Sequence, residues 1–179
     1  GIAFYTFKDQ CIFEKDEVVK DDGTPYKVYT PYSRKWLAQW AANPPASFPS
    51  ETLLHQLVEN EKAPQLTLSD LGFEKSNREL PHLNTNNEVL DTYEATRNFP
   101  ALDSTSKAGT ALRFGTISIR KLAHKAANRK EITYLKELIW REFFMQILWH
   151  FPHTVDKSFK PQYDRIPWRN NEEEFAQWC

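Results

Sequence analysis

The segment 131–150 constrains the fold more than any other part of the chain, because it is apolar on nearly every side of a helix. It reads EITYLKELIWREFFMQILWH, and its leucine, isoleucine and phenylalanine side chains surround the helix axis. A helix that is apolar all round is buried among other elements rather than lying at a surface. The segment therefore predicts a mainly helical protein with this helix in its core.

Capping residues and prolines predict the other helices. One helix begins at Thr30 and is ended by Pro44, and a second begins at Ser50. The apolar stripe of the second consists of Leu53, Leu54, Leu57 and Val58. Four more helices are predicted at 88–98, 106–114, 118–129 and 171–178. The N-caps predicted for the last three are Thr105, Ser118 and either Asn170 or Asn171.

The remaining segments predict little regular structure. Residues 2–7 and 11–13 are rich in β-formers and predict a short hairpin or the last strands of a sheet. Residues 60–87 are polar, contain two prolines and lack a sustained period, which is typical of a linker. One helical turn is predicted within them, near 68–71.

Composition excludes several classes of protein. A net charge of -1 excludes a uniformly basic nucleic-acid binder, although a local basic patch would escape this test. Five glycines form neither of the two common phosphate-binding glycine motifs. Two cysteines at opposite ends of the chain predict neither a zinc site nor a disulfide scaffold, which favours a reducing cytoplasm. No apolar run is long enough to span a membrane.

Glu137 and Arg141 place opposite charges one turn apart on the apolar helix. Burying such a pair costs several kcal/mol per ion, so one hypothesis is a polar stripe lining a ligand cavity. Aromatic residues at 134, 140 and 144 would then receive a flat ligand. The alternative is an ordinary surface pair worth about 0.2–0.5 kcal/mol.

Three other patterns each allow a functional interpretation and a purely structural one. Thr105-Ser106-Lys107 at a predicted helix start could bind a phosphate or simply cap the helix. Basic residues across 113–130 could meet a phosphate backbone or form a solvated face. His150 and His153 have ligand-like spacing, but no third ligand is near them in sequence, so no metal site is predicted.

Four motifs follow one another along the chain: YEATRNFP at 93–100, TS at 105–106, LRFGTISIR at 112–120 and ELIWREF at 137–143. This ordered set resembles the start of the flavin-binding helical domain of the DNA photolyase/cryptochrome family. TPYSRKW at 30–36 resembles the end of the family's N-terminal α/β antenna domain. The likeness covers most of the chain and is weakest at 40–87.

The resemblance implies a light-driven repair enzyme, most like a cyclobutane pyrimidine dimer photolyase. Reduced FAD would donate an electron to a dimer flipped out of UV-damaged DNA. Carried over by position, the FAD-binding residues would be Tyr93, Thr105, Ser106, Lys107, Ala108, Gly109, Glu137 and Arg141. Glu137 and Trp140 would be catalytic at the dimer, with Arg97 contacting the DNA backbone. Trp168 would be the outermost tryptophan of the electron-transfer chain.

The resemblance also implies a domain division. Residues 1–42 would end the antenna domain after a short β segment, 43–87 would be the linker, and 88–179 would begin the helical FAD-binding domain. Both termini stand in mid-pattern, so we expect an internal piece of a longer protein. Alone it would bind FAD weakly or not at all, lack repair activity and could self-associate. The whole protein would be a cytoplasmic monomer, with a folate or deazaflavin as its antenna chromophore.

Two other functions stay open. A cryptochrome-type photoreceptor would use the same flavin pocket for signalling and would need neither Glu137 nor a lesion cavity. A helical interaction domain would bind no cofactor at all.

Overall fold

The computed structural model describes residues 2–46, 48–57 and 66–179. It is mainly helical, as predicted, and contains six α-helices in the described part of the chain. Their bounds are Tyr29–Ala42 (α1), Asn87–Thr96 (α2), Gly109–Arg113 (α3), Ile119–Ala127 (α4), Thr133–His150 (α5) and Glu172–Trp178 (α6). Short 3-10 helices lie at Lys15–Glu17, Ser50–Gln56, Pro152–Val155 and Pro161–Arg165. Within the described ranges, no helix is both long and apolar enough to cross a membrane.

Side-chain caps begin three of these helices. The Asn86 Oδ1 atom accepts from the Val89 N–H, and Ser118 Oγ accepts from the Lys121 N–H. Asn171 caps α6 by accepting from two backbone N–H groups. Each cap satisfies an N–H group that has no partner inside its helix. The predicted caps Ser118 and Asn171 are therefore confirmed.

Helix α3 starts later than the sequence suggests. The prediction placed its start at residue 106 under a Thr105 cap, but the helix begins at Gly109 with Ala108 in the cap position and no side-chain cap. Lys107 has a φ of 51°, a left-handed conformation that a helix cannot contain. Residues 104–107 therefore form a loop. Gly115, with a φ of 67°, stands just past the helix end as expected.

The predicted hairpin at 2–13 does not form. No described residue there belongs to a strand, and the β pairing in the described part of the chain is an isolated bridge between Val19 and Pro25. Carbonyl groups that a hairpin would pair instead accept from Arg120, at 3.0 Å for Cys11 and 3.4 Å for Asp9. The apolar residues 2–7 have no partner strand and lie exposed.

The helix predicted after Ser50 is a 3-10 helix, and its leucines do not reach a core. Leu53, Leu54 and Leu57 are 50%, 62% and 68% exposed. An apolar stripe stabilises a helix only when it packs against something, and these residues do not. Val58, the last member of the predicted stripe, lies outside the described residues. The turn predicted near 68–71 is present.

The chain forms two compact units. The first comprises Gly1–Ile12 and Leu37–Leu138, and the second Phe13–Trp36 and Ile139–Cys179. Buried residues of α2, α4 and α5 fill the first unit, among them Leu90, Leu122 and Leu135. Trp36, Tyr32 and Ile139 fill the second.

Candidate functional site

Two tyrosines form an aromatic pair in the first unit. The rings of Tyr93 on α2 and Tyr134 on α5 meet edge to face, with centroids 5.1 Å apart. Burial raises the pKa of the Tyr134 phenol. Burial and then the charge of Glu137 raise the pKa of Tyr93. Both rings are therefore neutral near pH 7 and present an aromatic surface.

Ser106 joins the loop before α3 to this pair. The Tyr134 phenol donates to Ser106 Oγ across 2.7 Å, and the Ala108 N–H donates to the same oxygen at 3.3 Å. The Ser106 carbonyl accepts from the Asn84 N–H at 3.0 Å. Ser106 is buried, so these contacts fix its position firmly. Two residues earlier, the Oγ atom of Ser104 is buried without a hydrogen-bond partner among the described residues.

The exposed side of the same loop carries Thr105 and Lys107. The Lys107 ammonium pairs with Asp103 at 2.6 Å, and these side chains are 37% and 78% exposed. An ion pair this exposed contributes little to stability, so Lys107 can exchange partners. Thr105, Lys107 and Arg97 line one open cleft of about 410 Å³. The loop therefore offers hydroxyl and ammonium donors beside an accessible cleft.

Arg97 and Glu137 form an ion pair in the same unit. The Arg97 Nη1 atom donates to Glu137 Oε1 across 2.5 Å, and each side chain is 32% exposed. The hydrogen bond to Glu137 raises the pKa of the Arg97 guanidinium. The guanidinium also lies 5.3 Å from the centre of the Tyr93 ring. The structure thus brings together Tyr93, Arg97 and Glu137, all three predicted as site residues.

Trp140 belongs to an aromatic cluster of the second unit. Its ring stacks on Tyr29 with centroids 3.6 Å apart and planes 6° apart. Phe144 lies at 5.5 Å, and the edge of Phe143 at 5.7 Å. These contacts hold the indole in a fixed orientation, with one of its faces covered by Tyr29.

Glu142 is a residue whose importance the sequence interpretation missed. Its side chain is almost wholly buried, and its Oε1 atom accepts from the Trp36 indole N–H at 2.7 Å and from the Phe13 N–H at 3.0 Å. A buried carboxylate needs such donors to offset its lost hydration. The signal was available, because Glu142 is a charge inside the segment 131–150, which is apolar on nearly every side.

The structure also places two further predicted site residues. Trp168 is 74% exposed on the segment before α6. Arg141 lies in the second unit, on the same helix as Trp140. Across the described ranges, no group of three or more His, Cys, Asp and Glu side chains could hold a metal ion.

Two segments of the chain match models of known protein families. Residues 1–50 match the model of the family described as DNA photolyase, and residues 134–179 match the FAD binding domain of DNA photolyase. A crystal structure of a class III photolyase from Agrobacterium tumefaciens superposes with a TM-score of 0.74 at 26% identity, covering 96% of this chain and 40% of that one. Both matched models and the superposed structure are of DNA photolyases, the family to which this chain is similar.

Curated photolyases align with nearly the whole chain. The deoxyribodipyrimidine photo-lyase of a Synechococcus strain is 30% identical over 205 residues, covering 99% of this chain and 42% of the relative. That of Alkalihalophilus pseudofirmus is 28% identical over 199 residues, covering 99% and 40%. The chain described here thus spans about two-fifths of the length of these relatives.

The donors on the loop before α3 fit the diphosphate of FAD. Phosphate oxygens accept hydrogen bonds and do not donate them. The loop brings Thr105 and the Lys107 ammonium, whose ion pair with Asp103 is exposed, to the open cleft, whereas the unpartnered Ser104 Oγ is shielded from solvent within the described part of the chain. The tyrosine pair adds an aromatic surface in the same unit. Tyr134 was expected to face a flat ligand, but its hydrogen bond to Ser106 is revealed only by the fold.

Proposed function

We propose that this chain forms part of a deoxyribodipyrimidine photo-lyase, which splits cyclobutane pyrimidine dimers in UV-damaged DNA with FAD as its cofactor. The names of the curated relatives and the match of 134–179 to an FAD binding domain support this proposal. The structural observation that carries it is the loop held by the Tyr134–Ser106 hydrogen bond beside the Tyr93 ring. It combines donors for a diphosphate with an aromatic surface.

The loop residues bind the diphosphate in this proposal. Ser106 is placed by Tyr134, while Thr105 and Lys107 approach from the open cleft. Lys107 moves from Asp103 to the phosphate, a small cost because the pair is exposed. Ala108 and Gly109 contribute backbone N–H groups at the start of α3. Tyr93 packs against the cofactor and keeps water from it.

Arg97, Glu137 and Trp140 are proposed to contact the DNA. When bound and reduced, FAD supplies the electron that splits the dimer under light. The Glu137 carboxyl group hydrogen-bonds the dimer, and the Trp140 ring packs against it. Arg97 contacts a phosphate of the backbone, for which it has to leave Glu137. Glu137 is then free of its ion-pair partner and can turn to the dimer.

The remaining assignments complete the proposal. Arg141 lies near FAD on α5, and the exposed ring of Trp168 receives electrons from a reductant in solution. Residues 1–42 end the antenna domain, 43–87 link the domains, and 88–179 begin the FAD-binding domain. Because the chain covers two-fifths of its relatives, we expect these 179 residues alone to bind FAD weakly and to repair no DNA. A monomeric whole protein, a cytoplasmic location and an antenna chromophore stay predictions.

Two measurements test the proposal. Titration of the 179-residue chain with FAD, followed by NMR, should give saturable shifts in residues 104–109 and at Tyr93. Photorepair is tested by grafting residues 1–179 in place of the matching stretch of the Agrobacterium class III photolyase. The graft should remove thymine dimers from an oligonucleotide in light and leave them intact in darkness. A graft that holds FAD without repairing DNA would favour a flavin photoreceptor, and a graft that holds no FAD would contradict both functions.

A further inference from the structure

Three aromatic residues lie on one face of α1 at the helical spacing i, i+3 and i+7, namely Tyr29, Tyr32 and Trp36. Tyr32 and Trp36 are fully buried, and both contact α5. The ring of Tyr32 lies 5.2 Å from that of Phe143, and the Trp36 indole donates to Glu142 at 2.7 Å. These buried contacts fix the start of α1 on α5. Tyr29, the first residue of α1, is half-buried, so its backbone is held in place although its ring is not part of the core.

Tyr29 contacts α5 in a different way from Tyr32. Its ring is parallel to the Trp140 indole, with planes 6° apart and centroids 3.6 Å apart. Aromatic pairs usually prefer offset or edge-on arrangements, with centroids about 4.5–7 Å apart. The contact between Tyr32 and Phe143 is of this ordinary kind, with planes 52° apart. The Tyr29 ring instead lies directly over one face of the indole and covers it.

The orientation of the Trp140 indole depends on Tyr29 more than on its neighbours in α5. Phe143 and Phe144 contact the indole from the next turn of its own helix, and Phe144 is itself 57% exposed. Tyr29 reaches the indole from α1, which the buried contacts hold in place. A side chain without such a contact exchanges between rotamers, and ordering it when a ligand binds costs free energy. Tyr29 therefore keeps the indole ordered before a ligand arrives.

We propose that Tyr29 is a positioning residue for the lesion, because its ring holds the Trp140 indole in one orientation and closes one indole face to the DNA. This inference rests on the proposed function, since it takes Trp140 as the residue that packs against the dimer. Tyr29 acts through Trp140 and does not itself contact the dimer. An indole that is ordered in advance binds the dimer more tightly, because less conformational freedom is lost on binding.

The first test measures DNA binding by the graft in which residues 1–179 replace the matching stretch of the Agrobacterium class III photolyase. The probes are an oligonucleotide with one thymine dimer and the same oligonucleotide without damage. Tyr29→Leu removes the ring and should weaken binding of the damaged oligonucleotide about two- to tenfold, the cost of ordering one side chain. Its affinity for the undamaged oligonucleotide and its content of FAD should not change. Tyr29→Phe keeps the stacked ring and should bind like the unaltered graft.

A second background separates positioning from a structural role. In a graft that carries Trp140→Ala, Tyr29→Leu should weaken binding of the damaged oligonucleotide no further, because the indole through which Tyr29 acts is missing. A residue with a merely structural role would lower the affinity by the same factor in both backgrounds. That result overturns the inference.

NMR of the 179-residue chain tests the stack in the absence of DNA. The ring current of Tyr29 should shift the indole protons of Trp140 upfield, because they lie beneath the face of the ring. The shift should disappear in Tyr29→Leu and remain in Tyr29→Phe. If the unaltered chain shows no such shift, the stack does not hold the indole and the inference is overturned.

Tyr26→Leu is the matched control. Tyr26 is also half-buried, but its ring packs edge-on against Tyr32, with centroids 6.3 Å apart. Tyr26→Leu should therefore leave the binding of both oligonucleotides unchanged, and a loss as large as that of Tyr29→Leu overturns the inference. If the unaltered graft does not prefer the damaged oligonucleotide, the proposed function fails. If it does and Tyr29→Leu keeps the full preference, the inference alone fails.

Discussion

Arg97 donates a hydrogen bond from Nη1 to the Glu137 carboxylate across 2.5 Å, although 40 positions separate the two residues in sequence. The proposed roles place Glu137 at the lesion and Arg97 at the DNA backbone. Before DNA binds, the two side chains are paired with each other, and both have to leave this ion pair to reach the DNA. The exchange of partners should be inexpensive, because each side chain is 32% exposed.

The free energy of this ion pair should be small and sensitive to salt. A double-mutant cycle with Arg97→Gln and Glu137→Gln, followed by urea unfolding, should give a coupling free energy of about 0.2–1 kcal/mol at low salt. In 1 M NaCl, where the screening length falls to about 3 Å, the coupling should shrink. A coupling that stays constant with salt would show that the pair is shielded and not free to exchange.

Glu137→Ala should separate lesion chemistry from cofactor binding. In the graft described above, the variant should lower the quantum yield of repair much more than it weakens FAD binding, because Glu137 is proposed to hydrogen-bond the dimer. Glu137→Gln should retain part of the yield, since an amide N–H₂ can still donate. Equal losses of repair and of FAD binding would place Glu137 at the cofactor instead.

The two tyrosines should make stability depend on alkaline pH. The pKa values of Tyr93 and Tyr134 are raised, mainly by burial, above the ordinary value near 10. In the unfolded chain these phenols lose their protons at a lower pH than in the folded protein. The stability that the neutral phenols provide is therefore full below about pH 10 and falls as pH rises through the folded pKa values. Urea midpoints between pH 8 and 11 should fall less steeply in Tyr134→Phe. The same slope in both proteins would contradict a buried phenol.

Local patterns in the sequence predicted the helices well, and distant contacts explain most of what they missed. The sequence predicted the caps Ser118 of α4 and Asn171 of α6, because a cap is a short-range interaction. The hairpin at 2–13 was a wrong prediction, since Arg120, more than a hundred positions away, holds its carbonyl groups. β-propensity depends on the residues of the segment itself. It does not include a distant side chain that hydrogen-bonds the backbone groups a strand would pair.

The candidate site shows the same division. Spacing alone suggested Arg141 as the partner of Glu137, one turn away, whereas the structure pairs that carboxylate with Arg97. The orphaned hydroxyl of Ser104 and the bond from Tyr134 to Ser106 depend on where a loop meets a distant helix. The periodicity of the sequence does not predict contacts between residues this far apart in the chain.

Glu142 should be essential for stability in the second unit. Glu142→Gln can still accept from Trp36 and Phe13, so it should cost at most about 1–2 kcal/mol. Glu142→Ala leaves both donors without an acceptor and a cavity beside them, and should cost about 3–5 kcal/mol. Chemical denaturation of both variants measures the difference. If alanine and glutamine destabilise equally, the hydrogen bonds are not what Glu142 contributes.

Arg120 should protect the segment near Cys11 from reagents in solution. Its guanidinium donates to the carbonyl groups of Cys11, Asp9 and Lys8 at 3.0, 3.4 and 3.5 Å. A planar guanidinium reaches several acceptors at once, whereas the point charge of lysine does not. Arg120→Lys should therefore loosen residues 8–11 and raise the rate at which iodoacetamide alkylates Cys11 several-fold.

The chain supplies its own control for this measurement. Cys179 is exposed, while Cys11 is half-buried, so mass spectrometry can follow both thiols in one sample. The rate at Cys179 should be the same with and without the substitution, because the bonds lost with Arg120 go to residues 8, 9 and 11. A second variant, Arg113→Lys, changes an exposed arginine of α3 and should alter neither rate. If Arg120→Lys leaves the rate at Cys11 unchanged, the carbonyl contacts do not hold the segment in place, and the absence of the hairpin needs another cause.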